Sequence, residues 1–298
     1  MSLVVRELTK VFGEKIAVDR ISFEMERSGV FGLIGTNGAG KTTTIRMMLG
    51  IMQPDHGQSL WNGRCISRET LSFGYMPEER GIYGKTRVLE QLVYFGMLRG
   101  MNRTDARCSA LRLIDRLELV EYRDMYADKL SKGNQQKVQL AATLIHDPTL
   151  IVLDEPFSGL DPVNAEALSV LIGELIDEKK YIVMSSHQME TVEKYCESLV
   201  LLHRGKTVLS GNLKQIKAGY GHTRLVVDTL RDPEQTAISC GLSLRERRAD
   251  ECEFAVSGRE DAERFLAALI SAGNVPTRYE LREPSLNEIF IEKAGERS

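Results

Sequence analysis

The sequence has no long apolar run, no closely spaced pair of cysteines and no excess of basic charge. Its apolar runs, such as residues 199–202, have the length of a strand, whereas a membrane-spanning helix needs about 20 apolar residues, so we expect no segment that crosses a bilayer. Residues 1–7 lack the pattern of a secretory signal, in which a basic stretch precedes an apolar one. The five cysteines never form a C-x-x-C pair, which predicts reduced, buried thiols in a cytoplasmic protein rather than disulfides or a zinc site.

The charge balance bears on the class of partner and on domain organisation. With 39 basic and 42 acidic residues the formal net charge is −3, so nucleic acid is not expected as a partner, because its binding usually needs a strongly basic domain. Residues 221–298 hold 11 basic and 15 acidic side chains, which leaves 28 and 27 for residues 1–220. This shift, and the Ala-Gly-Tyr-Gly stretch that ends at Gly221, predict one domain over residues 1–217 and an acidic one over 221–298.

Short apolar strand patterns alternate with helical ones in the first domain, which predicts an α/β fold. Residues 30–34, 150–153 and 181–184 are nearly continuous apolar runs, typical of parallel strands that are covered on both faces. Between about residues 86 and 128 the apolar residues recur at helical spacing, which predicts an inserted helical subdomain over about residues 86–148.

The tail has the pattern of a small α+β domain. S-x-x-E capping boxes at residues 257–260 and 285–288 predict the starts of two amphipathic helices. Strands are predicted near residues 224–228, 253–256 and 277–281.

A phosphate-binding loop follows the first of the buried strands. The residues from Gly35 to Thr42 fit the pattern G-x-x-x-x-G-K-[ST], in which glycines let backbone N–H groups converge on an anion at a helix N-terminus. Lys41 is expected to reach the β- and γ-phosphates and Thr42 to place its hydroxyl on Mg²⁺. The predicted ATP-binding segment consists of Gly35, Thr36, Asn37, Gly38, Ala39, Gly40, Lys41, Thr42 and Thr43.

Two acidic residues end the strand at 150–153. Asp154 is the expected Mg²⁺ partner, and Glu155 is a candidate general base for the attacking water. Taken alone, the same pair is also typical of solvated charges at a strand end.

Between these motifs, Leu130-Ser131-Lys132-Gly133-Asn134-Gln135-Gln136 resembles the L-S-G-G-Q signature of the ATP-binding-cassette (ABC) family, with Lys132 and Asn134 as departures. By itself this pattern is only a serine-capped helix start. Ser131 and Gly133 keep that local geometry, so the resemblance implies that they contact ATP.

Further motifs occur in the order found in that family. Ser158-Gly159-Leu160-Asp161 resembles the D-loop, and Ser185-Ser186-His187 resembles the H-loop, whose histidine contacts the γ-phosphate. Near the N-terminus the residues around Phe12 resemble the A-loop, which makes Phe12 the expected stacking platform for adenine; a core aromatic is the alternative.

One position departs from the family pattern with a chemical consequence. Glu78 stands where the family has a glutamine after a strand and ahead of the helical segment. A carboxylate can still ligate Mg²⁺ and accept from water, but it adds negative charge and cannot donate when ionised. We expect Glu78 to keep a catalytic coupling role and to tune metal affinity.

The resemblance implies a mechanism and a set of partners. The fold is a P-loop cassette with an inserted helical subdomain, and two ATPase subunits, as a homodimer or a heterodimer, form a head-to-tail pair. ATP on the phosphate loop of one copy is closed over by Ser131 and Gly133 of the other, with Asp161 at the seam. A separate membrane permease would contact residues near 78–100. Tyr83, Tyr94 and Phe95 are contact candidates there, although Tyr94 and Phe95 are expected to be core residues instead. The protein would then be cytoplasmic and peripheral on the inner face of the membrane.

The tail around 282–290 resembles the C-terminal appendage of bacterial ABC-2-type exporter ATPases, which include sodium-extrusion and drug-export ATPases. The residues at 74–81 are similar to the sodium-extrusion branch. An exporter ATPase is therefore the main functional hypothesis. The alternative is a soluble ABC ATPase without a transport role, acting as a conformational switch on a macromolecular partner.

Overall fold

A computed structural model describes residues 1–67, 69–79, 81–248 and 251–295. Its contacts divide the chain into two compact units, Met1–Ser210 and Gly211–Ser298. The sequence predicts the change near 217–221, whereas the helix at Leu213–Tyr220 falls in the second unit. Arg80, within the 74–81 pattern, lies outside the described residues.

The first unit alternates strands and helices. Its elements are β1 (Leu3–Phe12), β2 (Lys15–Met25), β3 (Gly29–Gly35), α1 (Lys41–Met48), β4 (His56–Trp61), β5 (Arg64–Cys65), β6 (Phe73–Met76), α2 (Val88–Leu98), α3 (Arg103–Arg116), α4 (Lys132–Leu144), β7 (Leu150–Asp154), α5 (Pro162–Asp177), β8 (Tyr181–Ser186), α6 (Met189–Tyr195), β9 (Ser198–His203) and β10 (Lys206–Asn212). Two single 3₁₀ turns, Val120–Tyr122 and Ala127–Lys129, precede α4.

A six-stranded sheet in the order β10-β9-β3-β8-β7-β6 carries the site. The pairs β6/β7, β7/β8, β8/β3 and β3/β9 are all parallel. Every residue of β3, β7 and β8 is buried, which explains their continuous apolar sequences and confirms the three predicted strands. Because parallel strands end at one edge, the residues that follow β3, β7 and β8 are brought together.

A second, antiparallel sheet in the order β2-β1-β4-β5 shares a hydrophobic core with the first, and α1 contributes to it. Phe23 of β2 stacks on Phe31 of β3 with ring centroids 4.8 Å apart. This packing fixes the strand from which the phosphate loop departs.

The helices α2, α3 and α4 lie between β6 and β7 in the chain. Leu92 and Ile114 are fully or almost fully buried, as the helical spacing predicts, but Leu111 is 36% exposed; Val138 of α4 is also fully buried. The expectation that Tyr94 and Phe95 are core residues is wrong, because Tyr94 is 48% exposed and Phe95 is only partly buried. Both rings lie beside Tyr83 at the surface, since α2 is covered on one face only.

The second unit is a four-stranded antiparallel sheet with helices. Its elements are α7 (Leu213–Tyr220), β11 (Arg224–Thr229), α8 (Glu234–Ser239), β12 (Ser243–Arg247), β13 (Cys252–Ala255), α9 (Arg259–Ser271), β14 (Pro276–Arg282) and α10 (Leu286–Gly295), with strand order β12-β13-β11-β14. The three predicted strands are confirmed, whereas β12 and α8 lack a clear sequence signal.

The two predicted capping boxes have different outcomes. Ser285 and Glu288 exchange the expected bonds, with Ser285 N–H donating to Glu288 Oε2 at 2.8 Å and Glu288 N–H donating to Ser285 Oγ at 3.3 Å. The box at 257–260 is wrong: Gly258 is the N-cap, and the Ser257 N–H donates to Asp261 instead.

No helix among the described residues is long and apolar enough to cross a membrane. All five cysteines are free, as expected, but only Cys196 and Cys252 are buried, whereas Cys65 and Cys108 are exposed and Cys240 is partly buried. The prediction that all the thiols are buried is therefore wrong.

Candidate functional site

The phosphate loop connects the buried end of β3 to the first turn of α1. Its last glycine, Gly40, has φ = 101°, and a Cβ there would lie 2.7 Å from the Ala17 carbonyl oxygen, so no other residue fits without a shift. Ala39 is buried and donates its N–H to the Thr36 carbonyl at 3.0 Å, which closes the turn. The remaining loop residues, Thr36, Asn37 and Gly38, are exposed, with their backbone available to a ligand at the N-terminus of α1.

Lys41 is the charged residue of this loop, and it is 94% buried. Its ammonium donates to the Gly35 carbonyl at 2.7 Å and lies 2.9 Å from Glu155 Oε1. Such a buried cation needs compensation, which the carbonyl and the carboxylate provide.

Asp154, the last residue of β7, is fully buried beside the phosphate loop. Thr42 donates its hydroxyl to Asp154 Oδ2 at 2.8 Å, and the Tyr75 hydroxyl donates to the same oxygen at 3.4 Å. Burial and the neighbouring Asp154 charge raise the pKa of Tyr75 to about 12, so this phenol remains a donor.

Glu155 follows directly and is 95% buried. Its backbone has φ = 52°, a left-handed conformation that is unfavourable for a residue with a Cβ. Its Oε2 lies 2.8 Å from His187 Nδ1, and the His187 backbone N–H donates to it at 3.4 Å. The ends of β3, β7 and β8 therefore bring a cation, two carboxylates and an imidazole into one cluster.

The signature-like residues lie at the start of α4, apart from this cluster. Ser131 caps the helix by accepting from the Asn134 N–H at 3.2 Å, as the sequence predicts. Gly133 is buried, and a Cβ there would lie 2.2 Å from Asn164 Nδ2. Asn164 belongs to α5, so the start of α4 packs closely against the first turn of α5.

Asp161 is the N-cap of α5 and is exposed. Its Oδ1 accepts the N–H groups of Val163 and Asn164 at 3.1 and 3.0 Å, and its Oδ2 accepts from Asn164 Nδ2 at 2.6 Å. The bonds from Asn164 lower the pKa of Asp161. Pro162 occupies the first turn of the helix, as predicted.

Phe12 and Glu78 also lie outside the cluster. Phe12 is 49% exposed and its ring lies 5.8 Å from Lys10 Nζ, so the core alternative is wrong and the ring is accessible for stacking. Glu78 is exposed on the loop after β6, and among the described residues no hydrogen bond or ion pair joins it to Thr42 or Asp154.

Two buried or partly buried glutamines make contacts at the site to which the sequence motifs assigned no role. Gln139 of α4, 95% buried, donates its amide to the Pro77 carbonyl at 2.8 Å and the Glu79 carbonyl at 3.2 Å, and so holds the loop that bears Glu78. Gln136, one helical turn earlier, donates to the Pro156 carbonyl beyond Glu155. A run of glutamines at the start of a predicted helix was the available signal.

A groove of about 820 Å³ lies between the edge strand β6 and the helices α2 and α4. Phe73, Leu98, Arg99 and His146 are among its lining residues. Burial and the nearby Arg99 charge lower the pKa of His146 to about 4, so its ring is neutral at pH 7.

Family models and relatives of this chain are described as the same kind of protein. The family model described as "ABC transporter" matches residues 18–158, and the model "ATP-binding protein DrrA1-3-like, C-terminal domain" matches residues 211–294. The "Uncharacterized ABC transporter ATP-binding protein YhaQ" of Bacillus subtilis is 39% identical over 294 residues, which cover 98% of each chain.

Other relatives and a solved structure agree with that result. The "Probable multidrug ABC transporter ATP-binding protein YbhF" of Escherichia coli is 33% identical over 72% of this chain and 37% of that protein. A solved "ATP binding subunit of ABC transporter" superposes with a TM-score of 0.67 at 30% identity, covering 74% of this chain and 93% of the other.

Proposed function

The chain belongs to the family of ABC transporter ATP-binding proteins and is an ATPase subunit of that type, and on this premise we propose that it powers export through separate membrane permease subunits. The observation that carries the proposal is the cluster of Lys41, Thr42, Asp154, Glu155 and His187 at the sheet edge. The transporter relatives favour this role over that of a soluble switch on a macromolecular partner.

The phosphate loop and α1 bind the triphosphate of ATP in this proposal. Backbone N–H groups from 35–43 and the positive end of the helix dipole face the phosphates. The Lys41 side chain leaves its ion pair with Glu155 and contacts the β- and γ-phosphates instead. Because Lys41 is 94% buried, its charge acts with little screening by water. Phe12, accessible near the end of β1, stacks on the adenine.

The oxygen donors beside Lys41 fit Mg²⁺. Thr42 supplies a hydroxyl oxygen and Asp154 a carboxylate oxygen, and these two oxygens lie 2.8 Å apart. Mg²⁺ prefers hard oxygen ligands of this kind. We propose that these two residues hold the ion and that Glu78 approaches it when the loop after β6 moves inward. When bound, Mg²⁺ neutralises part of the charge on the phosphate oxygens.

Glu155 is the proposed general base for the attacking water. When Lys41 contacts ATP, it no longer pairs with Glu155. The Glu155 carboxylate then keeps its contact with His187 and has its other oxygen free to accept a proton from a water molecule. His187 is then placed to contact the γ-phosphate. The reaction gives ADP and phosphate, and most of its acceleration comes from positioning and charge stabilisation.

We propose that two ATPase subunits, identical or homologous, close on ATP head to tail. Ser131 and Gly133, which begin α4, present a helix N-terminus to the nucleotide of the other copy. Asp161 lies at the same surface, because Asn164 joins it to Gly133. ATP thereby contributes to the interface, and hydrolysis reopens the pair.

The groove between β6, α2 and α4 is the proposed contact with the permease. Subunits of this family pair with membrane components, and the groove adjoins exposed apolar side chains of α2, with Met97 and Leu98 at 47% and 62% exposure. The surface ring cluster of Tyr83, Tyr94 and Phe95 extends the same face. Through this contact the protein would lie on the cytoplasmic face of the membrane.

The direct test is Glu155→Gln, which keeps the shape of the side chain and removes the base. We expect ATP hydrolysis to fall by about 10²- to 10⁴-fold, while ATP still binds and the protein elutes as a dimer with ATP in gel filtration. The matched control is Glu174→Gln, which alters an exposed carboxylate of α5 that is paired with Arg116 of α3. Full hydrolysis by the Glu155→Gln protein, measured as phosphate release, contradicts the proposal.

A further inference from the structure

Ser185 is a buried residue with a hydroxyl group near the carboxyl end of β8, a strand inside the six-stranded sheet. It follows the apolar residues 181–184 of β8 and is fully inaccessible to solvent. In the parallel register of β7 and β8 it lies opposite Asp154. A hydroxyl at such a position is unfavourable unless it is hydrogen-bonded.

The Ser185 hydroxyl has a partner for each of its hydrogen-bonding functions. It donates to Asp154 Oδ1 at 2.5 Å and accepts from the backbone N–H of Glu155 at 2.9 Å. The other carboxylate oxygen of Asp154 accepts from Thr42 at 2.8 Å. The Ser185 hydroxyl therefore holds the side chain of Asp154 and the backbone of Glu155.

The bond to Glu155 acts where the backbone is strained. A non-glycine residue at φ = 52° persists only when its surroundings impose that conformation. Without the Ser185 oxygen, the buried Glu155 N–H loses the acceptor that the structure gives it. The Glu155 carboxylate then loses its fixed direction towards Lys41 and His187.

We propose that Ser185 is a positioning residue for ATP hydrolysis, which sets the direction of Glu155 and the orientation of Asp154 without touching the nucleotide. The inference rests on the proposed role of Glu155. Because Thr42 still holds the other oxygen of Asp154, loss of Ser185 acts on turnover far more than on nucleotide binding.

Ser185→Ala removes the hydroxyl, and Ser185→Thr retains it. We expect Ser185→Ala to lower kcat by about 10- to 100-fold, the size of effect that a misplaced catalytic group produces. The KM for ATP and the affinity for a non-hydrolysable ATP analogue with Mg²⁺, measured by calorimetry, should change by less than about threefold. Ser185→Thr should restore most of kcat.

The control is Ser109→Ala, which also removes a buried and hydrogen-bonded hydroxyl, but outside the site. Ser109 of α3 is 92% buried and donates to the Ile145 carbonyl at 2.7 Å, so its loss also costs stability, but it should leave kcat unchanged. A second measurement does not depend on the Thr variant: in the Glu155→Gln background, Ser185→Ala should lower the residual hydrolysis by less than about threefold, because both changes act through one group.

Three outcomes overturn the inference. They are a kcat of Ser185→Ala equal to that of Ser109→Ala, a loss of analogue binding as large as the loss of kcat, and independent effects of Ser185→Ala and Glu155→Gln. Full activity of Glu155→Gln instead overturns the proposed function. The two failures are therefore distinguishable.

Discussion

Gly133 and Asn164 form a contact whose energetics can be worked out from the structure. A Cβ on Gly133 would lie 2.2 Å from Nδ2 and 2.6 Å from Cγ of Asn164, well inside van der Waals contact. Asn164 can turn away only by giving up its 2.6 Å bond to Asp161. We therefore predict that Gly133→Ala destabilises the first unit, although alanine is the better helix former.

The expected magnitude combines three contributions. Overpacking costs about 1–3 kcal/mol, and the lost hydrogen bond to Asp161 costs about 1 kcal/mol. Alanine in a helix recovers about 0.5–1 kcal/mol relative to glycine. The free energy of unfolding should thus fall by roughly 1–3.5 kcal/mol. In an Asn164→Ala background the obstruction is absent, so the same Gly133→Ala change should instead raise it by up to about 0.5–1 kcal/mol.

The assay is urea unfolding of the wild type, both single variants and the double variant. Trp61, the one tryptophan of the sequence, is 94% buried in β4 and lies 5.0 Å from the Tyr181 ring, so its fluorescence follows unfolding of the first unit. The decisive result is the reversal of sign between the two backgrounds. If Gly133→Ala has the same effect in both, within about 0.5 kcal/mol, the reasoning about this contact is wrong.

Three further predictions concern the metal, the permease and pH. Glu78→Gln should raise the Mg²⁺ concentration for half-maximal hydrolysis by about three- to tenfold, whereas the neighbouring exposed Glu79→Gln should not; equal Mg²⁺ curves would exclude a metal role for Glu78. Leu98→Asp should abolish co-purification with the membrane subunit and leave ATP binding intact, and Val170→Asp, at a similarly exposed position on α5, is the control. Undiminished co-purification would exclude the groove as the docking site. Because the folded-state pKa of His146 is lowered from 6.5 to about 4, the contribution of its neutral ring to stability is complete above pH 6.5 and is lost as the pH falls towards 4. His146→Gln should therefore flatten the decrease in the free energy of unfolding, measured with urea, between these two pH values. An unchanged slope would contradict this prediction.

The proximity of the residues in the candidate site was predictable because they follow strands whose sequences are unmistakable. Asp154 ends β7, His187 directly follows β8, and Lys41 follows the short loop after β3. Because parallel strands end at one edge of a sheet, motif and topology together imply that these residues are close. Ser131 was predictable as a cap because capping depends on local sequence.

The residues that sequence reasoning missed depend on contacts between distant segments. Nothing near Gln139 indicates that its amide meets carbonyls some 60 residues away in the chain, at Pro77 and Glu79. Ser185 was visible within a motif, but its two bonds follow from strand register. The exposure of Tyr94 was missed because helical spacing shows that a segment is a helix but does not show which side of that helix packs against its neighbours.

The ion pair between Lys41 and Glu155 affects how a hydrolysis-deficient variant should be interpreted. The Glu155→Gln change removes the proposed base and also removes the carboxylate that is paired with the Lys41 ammonium, the group proposed to bind the phosphates. In the variant the buried Lys41 keeps its carbonyl partners but loses the carboxylate, so its nucleotide affinity contains a gain that the wild type lacks. A dissociation constant measured with the Glu155→Gln protein is therefore a lower bound on the wild-type value rather than a substitute for it.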